Sequence, residues 1–169
     1  MITLGIDPGW ASFGIAAQED GKLLEAISFV PKNFGSTWNF IGELNHWVME
    51  KLRSSDKIWS IENPIYIERF VSYGGTQTDP EKILMLIGAL EYWFATQYTA
   101  PVLVKAIDWK VKLCHHIVQT TGESNPSKSL DKKFSIWAAE KMSGVKFKSD
   151  HEADAVCLSY LTQKILRRS

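Results

Sequence analysis

The chain has no apolar run long enough to span a membrane, and charge interrupts each of its hydrophobic stretches. A helical membrane anchor is therefore not expected. Its opening, MITLGIDPGW, has neither a basic lead nor a long apolar core, so no secretory signal is expected and the protein is placed in the cytoplasm. Cysteine is scarce: only two are present, Cys114 and Cys157, each within an apolar helical pattern. That excludes a disulfide framework and a paired-cysteine zinc site, and reads as two buried thiols in a reducing compartment. Net charge is absent as well, with 19 Lys and Arg against 19 Asp and Glu. Internal repeats, linkers and low-complexity segments are also missing, so residues 1–169 read as one domain.

What is present is a hydrophobic fraction of 45%, enough in 169 residues for a substantial core. The charge is unevenly spread. Residues 1–100 hold 7 basic and 12 acidic residues, whereas residues 101–169 hold 12 and 7. A polyanion could lie on the basic C-terminal third while cations screen carboxylates elsewhere; ordinary solvated charge explains composition equally well.

Periodicity gives the order βββαβαβααα. ITLGID alternates into a Pro-Gly turn, and FGIAAQ and LLEAISFV flank the hairpin signal EDGK. TWNFIGELNHWVMEKLRSS carries a helical stripe through Phe40, Ile41, Leu44, Trp47, Val48 and Leu52. KIWSIENPIYIERFV is broken by Asn63-Pro64, which predicts a strand at Ile65–Glu68 with KIWSI as its approach. DPEKILMLIGALEYWFATQY is a helix with Pro80 in its first turn. APVLVKAI reads as a short buried strand, and DWKVKLCHHIVQ as a helix capped by Asp108. TTGESNPSK is a polar loop, SLDKKFSIWAAEKMS a helix stopped by Gly144, and SDHEADAVCLSYLTQKILRR the closing helix. The fold class is α/β: a mixed five-stranded sheet, three antiparallel strands first and parallel additions after, with helices packed on it.

Ligands in such sheets gather at the carboxyl ends of strands. Asp7 ends the first strand and Glu68 ends IYIE. Asp154 lies in the closing helix among small and apolar neighbours. Alone, each has a plain structural reading: a turn residue, a strand-end surface acid, a lysine partner. In SDHEADAV, Ser149 and Glu152 fit a capping box, which gives Glu152 a structural role. His151 and Asp154 then share a helical face, while Asp150, four before Asp154, competes with His151. A histidine in the first turn meets the positive helix end, which favours a neutral, metal-ready imidazole. Asp7, Glu68, Asp154 and either His151 or Asp150 thus form an oxygen-rich set suited to Mg²⁺ or Mn²⁺, two of which could clamp a phosphodiester.

LGIDPGWASFGIA resembles the N-terminal motif of RuvC-type Holliday junction resolvases, IYIERF their second acidic motif, and DHEADAVCLSYL their closing motif. Gly88 also stands where the family has a glycine. The resemblance runs in order through nearly the whole chain, and the three acidic motifs are specific together and weak apart. It implies an RNase H-like fold with helices on both faces of the sheet. It also implies Asp7, Glu68, His151 and Asp154 as metal-binding and catalytic residues, and so selects His151 over Asp150. Glu62, in SIENP, is a second candidate for the middle acid, but its spacing to Gly88 is too long. DWKVKL resembles the family's lysine-bearing segment, which makes Lys112, or secondarily Lys110, a group near the scissile phosphate. LDKKFSIW resembles the basic helix start that follows, implying DNA contacts by Lys133 and Lys132. The family's glycine-rich link between these segments is not matched by TTGESNPSK. Phe70 and Tyr73 could stack on unpaired bases, or simply anchor their loop.

The implied activity is cleavage of four-way or otherwise branched DNA by paired, Mg²⁺- or Mn²⁺-dependent nicks, two ions per site, leaving 5′-phosphate and 3′-hydroxyl ends. The implied enzyme is a homodimer in the cytoplasm of a bacterial or phage-infected cell, with the short form resembling phage members. The helix ILMLIGALEYWF, apolar nearly all round, is the candidate dimer face. Alternatives are an RNase H-like nuclease of the YqgF type acting on RNA, and a non-cleaving junction-binding protein. An actin-like or sugar-kinase ATPase also begins with a GID-G motif, but it would need two such domains.

Overall fold

A computed structural model of the chain describes residues 1–54, 64–70, 79–127, 129–161 and 165. The predicted order is found, with one added 3₁₀ turn at Pro31–Phe34. The strands are β1 (Ile2–Asp7), β2 (Phe13–Glu19), β3 (Lys22–Phe29), β4 (Ile65–Arg69) and β5 (Val102–Lys105). The helices are α1 (Thr37–Ser54), α2 (Pro80–Gln97), α3 (Ala106–Thr121), α4 (Lys132–Ser143) and α5 (Asp150–Ser159). One sheet runs in the order β3-β2-β1-β4-β5. β1, β2 and β3 pair antiparallel, while β4 joins β1 and β5 joins β4 in parallel. The β2–β3 hairpin turns on Asp20 and Gly21, both at positive φ (49° and 85°), the backbone a tight right-twisted hairpin requires.

Strand alternation divides the core between the two faces. Ile2, Leu4, Ile6, Phe13, Ile15, Ala17, Ile65 and Ile67 point to one side, where α1 and α2 cover them with residues such as Phe40, Leu44, Leu90 and Phe94. Ala16, Tyr66 and Val104 point to the other, covered by α3, α4 and α5. The period of two also sends Gly5 and Asp7 of β1, Gly14 of β2 and Glu68 of β4 to the α5 side. Two of these glycines are required by close approach. A Cβ on Gly5 would lie 2.1 Å from the carbonyl oxygen of Ala155, and one on Gly14 would lie 2.0 Å from that of His151. The α5 backbone therefore rests directly on the sheet.

Several sequence expectations are corrected. Among the described residues β5 is the edge strand of the sheet, and only its Val104 is buried. α3 begins at Ala106 with Lys105 at its cap position, so Asp108 is a first-turn acid and not the cap. Cys157 is buried but Cys114 only partly so. KIWSI and Glu62 lie outside the described residues. Among the described residues no helix is long and apolar enough to cross a membrane.

Candidate active site

Register sets the first pair of acids. β1 and β4 are in parallel register with Ile6 opposite Ile67, so the next residues, Asp7 and Glu68, leave adjacent strands side by side on the α5 face. α5 supplies the other two groups. Its N-cap is Ser149, whose hydroxyl accepts from the Glu152 amide at 3.4 Å. The reciprocal half of the capping box is not made. Glu152 instead accepts a 2.7 Å hydrogen bond from the Ser28 hydroxyl on β3, which ties the helix start to the sheet. Glu152 is thus structural, as its position in the cap suggested, but through a different partner. With the helix held this way, His151 and Asp154 turn towards Asp7 and Glu68.

His151 Nδ1 lies 2.6 Å from Asp7 Oδ2. This carboxylate contact raises the imidazole above its ordinary pKa, against the lowering effect of burial. The Asp7 carboxylate thus works against the helix end, which on its own favours a neutral imidazole. Asp150 is not part of the cluster's inner face. It forms a 2.6 Å ion pair with Lys132, whose ammonium is largely exposed.

The remaining acids are shielded from water and repel one another. Burial pushes the Glu68 carboxyl up to about 8, with further raising by the charges of Asp7 and Asp154; a hydrogen bond from Trp109 and the charge of Lys110 pull it back. Burial likewise raises Asp154 to about 6; Lys110 opposes this and Asp7 adds to it. The Asp7 and Asp154 side chains are only 13% and 14% exposed. Lys110 Nζ stands 3.3 Å from Asp154 Oδ1 and 3.4 Å from Oδ2, with hydrogen-bond geometry only to Oδ2. The buried Oδ1 accepts no hydrogen bond.

Lys110 reaches the acids from α3. Lys112, the preferred candidate by resemblance, follows two residues later, roughly 200° around the helix, and so presents to a different flank. Lys132 stands at the rim, where its pKa is raised by Asp150 first and then by the fields of Asp154 and Asp7. Lys133 is exposed beside it at the start of α4. Phe70 is half-buried immediately after β4, and Tyr73 lies outside the described residues. One contributor escaped the sequence reading: Trp109, whose indole N–H donates to Glu68 Oε2 at 2.9 Å. Its signal was present as a tryptophan in a helix stripe, where the ring says "core" and the N–H says that a buried acceptor must be nearby.

The residues suit a hard divalent cation in their chemistry: three shielded, mutually repelling carboxylates, one with a buried oxygen that faces the Lys110 ammonium without a hydrogen bond. Among the described residues, however, no three His, Cys, Asp or Glu side chains converge tightly enough to enclose an ion. His151 holds Asp7, Trp109 holds Glu68 and Lys110 holds Asp154 instead.

No protein-family model and no curated protein sequence matches the chain. Solved structures do. A Thermus thermophilus RuvC in complex with a Holliday junction substrate superposes with a TM-score of 0.65 at 16% identity, covering 94% of this chain and 90% of the other. A second Thermus thermophilus RuvC structure gives 0.60 at 18%, covering 94% and 91%. The mixed five-stranded α/β architecture is that of RuvC, the RNase H-like fold expected from the sequence.

Proposed function

We propose that this chain is a structure-specific endodeoxyribonuclease that cuts four-way or related branched DNA in the cytoplasm, with residues 1–169 forming one nuclease domain. The observation that carries the reading is the convergence of Asp7, Glu68, Asp154 and His151 from two adjacent strand ends and one helix, on the face where the basic residues Lys110 and Lys132 also lie. The likeness to a RuvC bound to a Holliday junction supports the choice of substrate.

Asp7, Glu68, Asp154 and His151 would hold Mg²⁺ or Mn²⁺, two ions per site. When bound, such ions supply a nucleophilic water near neutral pH and stabilise charge on the attacking and leaving oxygens. The chain's own residues do the rest. Asp7 and Glu68, on rigid strand ends, fix where the scissile phosphate must sit. Lys110 moves its charge from Asp154 towards the phosphate as DNA enters, which stabilises the negative charge that builds up during in-line attack. His151, now against Asp7, would help to hold an ion or orient water. Lys132 and Lys133 at the start of α4 hold the backbone, and Phe70 and Tyr73 stack on bases at the crossover. The products carry 5′-phosphate and 3′-hydroxyl ends.

Two matched nicks require two sites, hence a homodimer. The outward face of α2 fits this role. Met85 and Tyr92 are 61% and 66% exposed, and with Gly88, Ala89 and the 62% exposed Trp38 they line an apolar groove of about 370 Å³. The test is one labelled four-way junction, incubated with and without Mg²⁺, with wild type, Asp7→Asn and Asp154→Asn, beside duplex DNA and RNA. Metal-dependent nicking of the junction by wild type alone is expected. Cleavage by Asp7→Asn at the wild-type rate refutes the mechanism, preference for RNA favours the YqgF-type alternative, and tight binding without product favours a non-cleaving junction binder.

A further inference from the structure

Trp109 is among the largest fully buried side chains of the protein. It begins a stripe on α3 that continues through Leu113 and Ile117, also fully buried, so the ring is held by packing on the sheet. An indole carries a single donor and no acceptor. Its N–H points at Glu68 Oε2, and the 2.9 Å bond can run in one direction only. The next residue, Lys110, reaches Asp154 and lies 5.0 Å over the Trp109 ring. Consecutive residues of one helix thus engage two different acids.

A glutamate's terminal torsion is soft and roughly two-fold, so a strand position alone does not decide which oxygen faces a ligand. We propose that Trp109 is a positioning residue: by occupying Oε2 it locks the Glu68 carboxylate and reserves Oε1 for a divalent cation, so that the first turn of α3 sets the cation affinity of the site. This inference rests on the cation-binding role given to Glu68 above. Outer partners that orient a ligand in this way typically contribute roughly 10–100-fold to metal affinity. The competing account makes Trp109 a core filler whose N–H takes the nearest acceptor, with no effect on cation binding.

The deciding variant replaces Trp109 with 3-benzothienylalanine, which keeps the shape and puts sulfur where the N–H was. Trp109→Phe is the encoded companion, and the isostere keeps the test valid if the smaller ring weakens folding. Mn²⁺ binding to the full chain is measured by titration calorimetry, without DNA. The isostere is expected to bind Mn²⁺ roughly 10-fold or more weakly. The Mn²⁺ concentration for half-maximal junction nicking should rise by a similar factor, with the rate at saturating Mn²⁺ within a few-fold of wild type. A core filler would not separate those two quantities. Wild-type binding together with unchanged affinity in the isostere overturns this inference alone. Failure of wild type to bind Mn²⁺ removes it together with the metal-dependent mechanism.

Discussion

Replacing Glu68 with Gln is expected to abolish cleavage and, in metal-free buffer, to make the protein more stable. The cause is the environment of this one carboxyl. Its value in an unfolded chain is near 4.5, whereas burial and the charges of Asp7 and Asp154 hold it near 8 in the fold. An acid raised in this way favours the folded state fully only below its unfolded value; the contribution is lost as pH climbs from about 4.5 to about 8. At pH 7 the wild type therefore bears a penalty of about 3 kcal/mol that an uncharged amide escapes. For a chain of this size that corresponds to roughly 6–12 °C in Tm. Gln is nearly isosteric, and its amide oxygen can still accept from Trp109. The assay is a set of thermal melts in EDTA from pH 4 to pH 9, comparing wild type with Glu68→Gln. The curves should coincide near pH 4 and separate progressively above pH 5. A variant that melts at or below wild type at pH 8, or a difference independent of pH, refutes the electrostatic account of the site.

Three further outcomes are expected. Mg²⁺ should raise the Tm of wild type more at pH 8 than at pH 5.5, because Glu68 and Asp154, held near 8 and near 6, must shed protons before they bind a cation; an equal rise at both pH values, read by the same melts, contradicts this. Met85→Glu or Tyr92→Glu should convert a dimer to a folded monomer in sedimentation velocity, since both side chains are already exposed; a dimer that persists rules out the α2 face. Ser28→Ala should cost about 1 kcal/mol in urea melts by removing its bond to Glu152. Junction nicking should be retained, and its loss would mean that this one bond is needed to hold His151 and Asp154 at the site.

Much of the site was legible because strands have a period of two. In LGID and IYIE the acid follows the last inward apolar residue, so each acid faces the side opposite Ile6 and Ile67. Sequence alone could not say that β1 and β4 are neighbours in a register that sets Asp7 beside Glu68; that pairing is non-local. The capping signal in SDHEADAV located the start of α5, but the partner of Glu152 came from β3, 124 residues away. The order of Lys112 before Lys110 rested on resemblance; in the fold it is Lys110, next to the buried Trp109, that stands beside Asp154. β5 read as buried because VLV is apolar, although an edge strand can carry the same letters with most of them exposed.

The bare contact of α5 on the sheet has a consequence for genetics. Gly14 lies beneath the carbonyl of His151 itself, and Gly5 beneath that of Ala155. Any side chain at either position must lift the helix, and with it His151 and Asp154, away from strands that still present Asp7 and Glu68. A mutational screen that scores only survival or nicking would therefore rank two residues without a functional group beside the four acids and bases of the site. Counting soluble protein alongside activity separates the two classes: a lost site side chain leaves the yield intact, whereas a lost glycine takes the yield with it.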